Sequence, residues 1–245
     1  MTSSREWSDR LAADRVALDR GSTTERVTDV LRTRITEGMF APGTRLSEDG
    51  LTVALGVSRN TLREAFRLLS HERLLVHELN RGVFVRMLPA DDVADLYRLR
   101  RILELAAVDA AADAPPEALD QVRQALSEAE SAAAEDRWMD VGTANMHFHR
   151  ALVGLAGSPR MDEAIRQLLA ELRLVFHVME PPREFHEPYV RENRRIYHLL
   201  AAGDIAGARA ALADYLDLAE KQLVEAYSER AAAVDTATRR GARRR

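Results

Sequence analysis

The fold is decided by residues 56–66, which read GVSRNTLREAF. Gly56 interrupts the periodic segment before it, and Ser58 is a residue type whose side-chain oxygen accepts from the free N–H groups at the start of a helix. Apolar side chains then recur at helical spacing along one face of a helix from residue 59 to about residue 70; they are Leu62, Ala65, Phe66 and Leu69. Arg59, Asn60 and Arg63 fall outside that face. The stretch therefore predicts an amphipathic helix with a polar first turn.

The segments around this helix predict a small domain. Apolar residues from Val27 to Ile35 recur every three or four positions, and Ser47 can cap a short helix over 48–55 that ends at Gly56. After the central helix, extended runs at 74–78 and 83–86 are joined by LNRG (79–82), whose Asn and Gly suit a tight hairpin with positive φ. This order is that of a winged helix-turn-helix, which we place at residues 23–88, after a mobile arm at residues 1–22.

The polar residues of this domain predict contact with duplex DNA. The start of a helix presents free N–H groups and a positive dipole end to a phosphate, and Arg and Asn side chains there can read guanine and adenine edges. Gly82 permits close backbone approach at the wing tip, and Arg81 adds positive charge for the minor groove. A lone Arg is more often a solvated surface charge, but here an ordered set occurs: Arg45, Ser58, Arg59, Arg63, Arg81 and Gly82.

Beyond Pro89 only helical periodicity is found. The predicted helices cover 91–113, 116–134, 136–156, 159–179, 187–202 and 204–230, and a basic tail at 231–245 is predicted to be disordered. The fold class is therefore mainly α: a winged helix-turn-helix with a β-hairpin wing, followed by an antiparallel all-α bundle of six to seven helices at residues 89–230.

Composition limits the function classes. The 245 residues include no Cys, which excludes disulfide scaffolds, thiolate metal sites and a cysteine nucleophile. The chain shows neither a signal peptide nor an apolar run long enough for a membrane, so we expect a cytoplasmic protein with no membrane partner. Residues 21–88 carry ten Arg against eight acidic residues, whereas 89–230 carry 16 basic against 26 acidic residues. This asymmetry is expected if only the first segment meets a polyanion.

The sequence of residues 24–86 resembles the GntR family of bacterial transcription regulators. The resemblance rests on PGTRLSEDGLTVALGVSRNTLREAFRLL and on the later GVFV. It implies that Arg45 and Arg63 contact phosphates or bases, that Ser58 anchors a phosphate, and that Arg59, Asn60 and Thr61 read the major groove. Gly82 would enter the minor groove. Gly50 and the pair at 72–73 depart from the usual family residues without affecting these expectations.

Residues 91–227 resemble the FCD effector-binding domain of the FadR subfamily. The resemblance rests on YRLRRILE (97–104), NMHFH (145–149) and RRI with a later GD (194–196 and 203–204). Many such domains bind a divalent metal through an Asp and a His four residues apart and two further His. Here those positions hold Asn145, His149, Asn193 and Tyr215, so we expect no metal and no other cofactor, because carboxylate charge and strong donors are missing.

The same four residues suggest a pocket for a small-molecule effector. Arg100 stands at a position where the family has an Arg, and it could hold a carboxylate or another anion. An organic acid or another small metabolite is the expected effector, with metal-chelating acids disfavoured. The alternative for Arg100 is an i,i+4 pair with Glu104 on the helix surface, worth only a few tenths of a kcal/mol.

The leading functional hypothesis is a ligand-responsive, homodimeric transcription regulator, more often a repressor, on a pseudo-palindromic operator. A second hypothesis is a sequence-indifferent DNA-organising protein, favoured by the basic tail. A third is a helical metal-dependent enzyme that uses His147 or His149. The chain lacks G-x-S-x-G, H-E-x-x-H and a phosphate-binding Gly loop, so no catalytic residue is assigned and we expect no enzyme.

Overall fold

A computed structural model of the chain describes residues 23–176, 179 and 181–242, with side chains up to residue 227. The predicted arm at 1–22, His177 and residues 243–245 lie outside the described residues. The chain divides into two compact units between Met87 and Leu88. Within the described residues, no helix combines the length and the apolar character needed to cross a bilayer.

From residue 23 onward, the first unit contains three helices and a small antiparallel sheet. In chain order its elements are α1 (Thr23–Thr36), β1 (Arg45–Leu46), α2 (Glu48–Leu55), α3 (Arg59–His71), β2 (Leu75–Glu78) and β3 (Gly82–Val85). The sheet order is β1-β3-β2, with Arg45 opposite Phe84 and Val76 opposite the same Phe84 from the other side. β1 was not predicted, because two residues are too few to show an alternating pattern.

The capping residues act as the sequence predicts. Ser47 Oγ accepts from the Gly50 N–H at 3.2 Å, and Ser58 Oγ accepts from the Thr61 N–H at 3.1 Å. Gly56 ends α2 with φ of 66°, a left-handed conformation that costs glycine little. The apolar face of α3 is completely buried against α1. These caps and this face fix the position and the orientation of α3.

The second unit is an all-helical bundle. Its elements are α4 (Ala90–Asp109), a 3₁₀ turn (Ala110–Asp113), α5 (Pro116–Ala134), α6 (Trp138–Gly154), α7 (Pro159–Phe176), α8 (Pro182–Ala201) and α9 (Ile205–Ala242). Six α-helices follow the winged domain in the part of the chain that the structure describes, against a prediction of six to seven. α4 packs on α9 and α6, while α5 packs on α6 and α8. The helices thereby enclose one core to which α4, α6, α8 and α9 all contribute.

Two helix bounds differ from the prediction by five residues or more. α8 begins at Pro182 rather than near residue 187, because Pro182 starts the helix and Pro188 is tolerated inside it. α9 continues to Ala242, whereas the sequence predicts that the last helix ends at residue 230. The alanines at 231–233 have high helix propensity, and neither Gly nor Pro interrupts the segment before Gly241.

Candidate functional site

The first turn of α3 presents a polar surface. The side chains of Arg59 and Arg63 are 69% and 65% exposed, and Asn60 is exposed between them. Ser58 Oγ lies 2.8 Å from Thr61 Oγ1 in addition to capping the helix, so these two hydroxyl groups hold each other in place. The apolar side chains of α3 are buried, as predicted, so the polar first turn belongs to a helix that is packed into the core.

Two acidic residues of α2 hold the arginines of this surface. Arg59 Nη2 lies 2.9 Å from Asp49 Oδ1, and Arg63 Nε donates to Glu48 Oε2 at 3.0 Å. The sequence reasoning did not anticipate Glu48 and Asp49 as partners. Both lie in the first turn of α2, where the helix dipole favours a carboxylate. Their position just after the Ser47 cap is the feature of the sequence that indicates them.

The wing brings together three predicted residues. Gly82 has φ of +110°, and a Cβ at this position would lie 3.2 Å from the Nε of Arg45. Arg81 pairs with Glu78, and its guanidinium lies 5.5 Å from the centre of the Phe84 ring. Asn80 has φ of 61°, as the hairpin prediction requires. The glycine and two arginines thus form a positively charged tip with accessible backbone.

The predicted effector residues meet inside the helical unit. All five are buried, although they lie on four different helices; they are Arg100 on α4, Asn145 and His149 on α6, Asn193 on α8 and Tyr215 on α9. Asn145 Oδ1 accepts from Asn193 Nδ2 at 2.7 Å and from Tyr215 Oη at 3.2 Å. The rings of His149 and Tyr215 are 4.9 Å apart. We call these five residues together with Glu104 the buried polar site.

Glu104 is the residue of this site that sequence reasoning missed. Its Oε1 accepts from Arg100 Nε at 2.7 Å, and its Oε2 lies 2.7 Å from His149 Nδ1. The expected alternative, an Arg100–Glu104 pair on the surface, is wrong in its location: the side chains are 1% and 0% exposed. Arg100, which is predicted to hold a carboxylate or another anion of the effector, already has its charge paired with Glu104. Both residues lie on the apolar face of α4, which was the available signal.

Electrostatics fix the charge states of this site. Burial disfavours the Glu104 carboxylate, but Arg100 and His149 outweigh burial and hold the pKa of Glu104 below its ordinary value. Burial lowers the pKa of His149, in spite of the neighbouring Glu104. Burial also opposes the charge on Arg100, but Glu104 more than compensates and raises the pKa of Arg100. At neutral pH the site therefore contains one ion pair and a neutral imidazole.

This donor set does not fit a divalent metal. Both carboxylate oxygens of Glu104 are engaged, and the Asn145 oxygen already accepts two hydrogen bonds. The buried guanidinium of Arg100 would repel a cation. Among the described residues, no three His, Asp or Glu side chains are grouped as metal ligands. Only uncharged ligand atoms remain free, and they do not compensate for the free energy of dehydrating a divalent ion.

Among the described residues, none of His147, His186 and His198 joins His149 in a group of potential metal ligands. His147 is exposed and its Nδ1 lies 3.0 Å from Glu128, so it faces away from the buried polar site. His198 is exposed on α8. His186 is buried, and burial together with Arg173 lowers its pKa to about 4.

Comparisons with known proteins agree with this architecture. Residues 23–85 match the gntR family of bacterial regulatory proteins, and residues 95–218 match the FCD domain. The HTH-type transcriptional regulator YdhC of Bacillus subtilis (strain 168) is 32% identical over 174 residues, which is 68% of this chain and 75% of that protein.

Solved structures give the same result. A GntR transcriptional regulator from Rhodococcus sp. RHA1 is 47% identical, with a TM-score of 0.81 over 84% of this chain and all of that chain. The Escherichia coli protein McbR/YncC shares the fold, with 24% identity and a TM-score of 0.74 over 85% of this chain and all of that chain. The names of the Bacillus and Rhodococcus relatives describe transcriptional regulators. The chain belongs to the GntR family of bacterial transcriptional regulators, with a winged DNA-binding domain followed by an FCD domain.

Proposed function

We propose that this regulator is a homodimeric, effector-responsive repressor that binds a pseudo-palindromic operator in the cytoplasm. The observation that carries the proposal is the surface at the start of α3, where exposed Arg59, Asn60 and Arg63 surround a serine-capped helix end. A helix end of this kind places donors within reach of both phosphates and base edges.

The ion pairs on this surface support DNA binding rather than oppose it. Exposed pairs such as Arg59–Asp49 and Arg63–Glu48 contribute at most about 1 kcal/mol, so a phosphate or a guanine can replace the carboxylate at little cost. In the free protein Asp49 and Glu48 hold the arginines extended near the helix end. In the complex Arg59 and Asn60 would read the major groove with Thr61, while Ser58 and Arg63 would contact the backbone.

The wing extends the contact to the adjacent minor groove. Gly82 would allow the backbone to approach the groove, and Arg81 and Arg45 would supply charge on either side of it. One winged domain covers a single half-site, so a specific operator requires two copies, with half-sites about one helical turn apart. Exposed apolar side chains on α4, Leu99 and Ile102, support the pairing of two chains.

The buried polar site is proposed to bind the effector. Since each of its side chains is at most 5% exposed, a ligand can enter only when the helices of the bundle move apart. Binding is thereby coupled to the conformation of the bundle. An effector that releases the operator must bind more tightly to the DNA-free arrangement of the dimer than to the DNA-bound one.

In vitro selection from a random duplex library with the full-length protein tests the DNA-binding part. We expect enrichment of an inverted repeat, and Arg59→Ala and Arg63→Ala should each reduce affinity for the selected duplex to that for random duplex. Arg123→Ala, which removes an exposed and similarly paired arginine from α5, is the matched control and should bind like the wild type. Circular dichroism of each variant checks the fold.

Undiminished binding by both α3 variants would refute this assignment. Equal competition by random duplex at fixed salt would instead indicate a sequence-indifferent DNA-organising protein. Repression is tested by in vitro transcription from a promoter that contains the selected duplex, where the protein should lower transcript yield. Light scattering in solution measures the mass and hence the dimer.

A further inference from the structure

Three polar atoms of the buried polar site make no hydrogen bond within the described part of the chain. They are Arg100 Nη2, His149 Nε2 and Asn193 Oδ1, and their side chains are 1%, 0% and 1% exposed. A buried polar atom without a partner is destabilising, and folded proteins retain few of them. Three such atoms in one connected group of side chains therefore indicate the chemistry of a ligand.

The hydrogen bonds already present define what each atom can do. Because His149 Nδ1 faces the Glu104 carboxylate, Nδ1 carries the hydrogen, and Nε2 of the neutral ring is an acceptor. Asn193 donates its amide to Asn145, which leaves Oδ1 as an acceptor. Arg100 Nη2 is a donor. The site therefore offers one donor and two acceptors.

The charge of the site is balanced without a ligand. Arg100 and Glu104 neutralise each other at 2.7 Å, and both carboxylate oxygens are in use. A carboxylate ligand would bring a negative charge into a neutral, buried place and would set its oxygens against two acceptors. A metal cation would be repelled by the guanidinium and would find only two free, uncharged ligand atoms, His149 Nε2 and Asn193 Oδ1. Carboxylate ligands and metal cations are both disfavoured, because either one would add an uncompensated charge to a buried, neutral site.

We propose that the buried polar site recognises an uncharged ligand through a group with two hydrogen-bond donors and one acceptor, without a metal. A vicinal diol and a primary carboxamide both have this pattern. The two donors bind His149 Nε2 and Asn193 Oδ1, and the acceptor receives the hydrogen bond of Arg100 Nη2. The inference rests on the proposed effector role of this site and adds the class of ligand.

Ligand-observed NMR with the full-length protein tests the ligand class. The probes are lactamide, propane-1,2-diol and lactate, which have the same three-carbon skeleton, and Mn²⁺ is added separately. We expect saturation transfer to lactamide and to propane-1,2-diol, little to lactate, and no stoichiometric binding of Mn²⁺ by calorimetry. Preferential binding of lactate, retention of one metal ion per chain, or binding of none of the probes would overturn the proposal.

Matched variants locate the binding. Asn193→Leu and His149→Phe each remove one acceptor and should weaken binding of lactamide at least about tenfold. His147→Phe makes the same change two residues away on the exposed side of α6 and should leave binding unaltered. Melting curves show which variants fold. If His149→Phe does not fold, Asn193→Leu alone tests the site. Equal binding by wild type and Asn193→Leu would place the probe elsewhere and refute the site.

The failure of this inference can be distinguished from that of the proposed function. If lactate binds at Asn193 and changes the affinity for the selected duplex, the effector site stands and only the ligand class is wrong. If lactamide binds at Asn193 but DNA affinity is unchanged at saturation, the ligand class stands and the effector role is wrong.

Discussion

The substitution Glu104→Gln removes the charge that neutralises two donors in the core. The carboxylate is completely buried and accepts from Arg100 and faces His149 Nδ1, each at 2.7 Å. A glutamine has nearly the same shape, but it has one acceptor oxygen, and its amide group would face one of the two donors. The guanidinium of Arg100 would then remain buried without its counter-ion.

The magnitude follows from that uncompensated charge. Loss of one partner from a buried ion pair costs about 3–5 kcal/mol. A folded domain is stable by only about 5–15 kcal/mol, so the variant should be strongly destabilised. With a urea m-value of about 2 kcal/mol per M, the midpoint of unfolding should fall by roughly 1.5–2.5 M.

Urea unfolding followed by tryptophan fluorescence measures this change. The chain has two tryptophans, Trp7 and Trp138, so a Trp7→Phe background leaves Trp138 on α6 as the reporter of the helical unit. Asp120→Asn, which neutralises the exposed partner of Arg123 on α5, is the control and should change stability little. Adding Arg100→Met to Glu104→Gln should restore more than half of the loss, because the unpaired charge is then gone. A cost for Glu104→Gln no larger than that for Asp120→Asn would refute the assignment of Glu104 as the buried counter-ion.

Two further predictions concern the contact between α6 and α8. Gly142→Ala should destabilise the protein by about 1–3 kcal/mol, since its Cβ would lie 2.8 Å from His186 Nε2, whereas Gly154→Ala, with nothing within 4 Å, should be neutral or stabilising in the same urea assay. His186 has its pKa lowered to about 4 by burial and by Arg173, against about 6.5 when unfolded, so the unfolded state binds the extra proton. Stability should therefore be intact above pH 6.5 and fall by about 3 kcal/mol as the pH drops to 4. His186→Gln should remove that part of the pH dependence, and identical slopes for both proteins would contradict the prediction.

The elements of the first unit could be predicted because their signals are local. Ser58 and Gly56 lie within a few residues of the helix ends that they determine, and the hairpin turn depends on Asn80 and Gly82 alone. The prediction that the residues of the buried polar site lie close together depends on the resemblance to the FCD domain. Spacing alone could not bring Asn145, Asn193 and Tyr215 together, because they lie 48 and 70 residues apart along the chain.

What the sequence did not reveal depends on contacts between elements. Glu104 was visible only as a helical neighbour of Arg100, and its second contact is with His149, 45 residues away. The two-residue strand at Arg45 exists because β3 is beside it, and not because of its own propensity. The end of α9 lies beyond the predicted residue 230, in a stretch whose alanines favour a helix while its arginines give no apolar pattern.

The arginines at the start of α3 and the arginine of the buried polar site have similar partners but differ in exposure. Arg59, Arg63 and Arg100 each pair with a carboxylate, at 2.9, 3.0 and 2.7 Å. The first two are more than 60% exposed, so water screens their pairs and a phosphate can exchange for the carboxylate at little cost. Arg100 is in the core, where separation from Glu104 would leave two bare charges, so it cannot release its partner to take an anion. This difference in exposure supports the proposed use of Arg59 and Arg63 as exchangeable contacts to a polyanion. For Arg100 it supports the proposal that an uncharged ligand accepts a hydrogen bond from Nη2, the atom that Glu104 leaves without a partner.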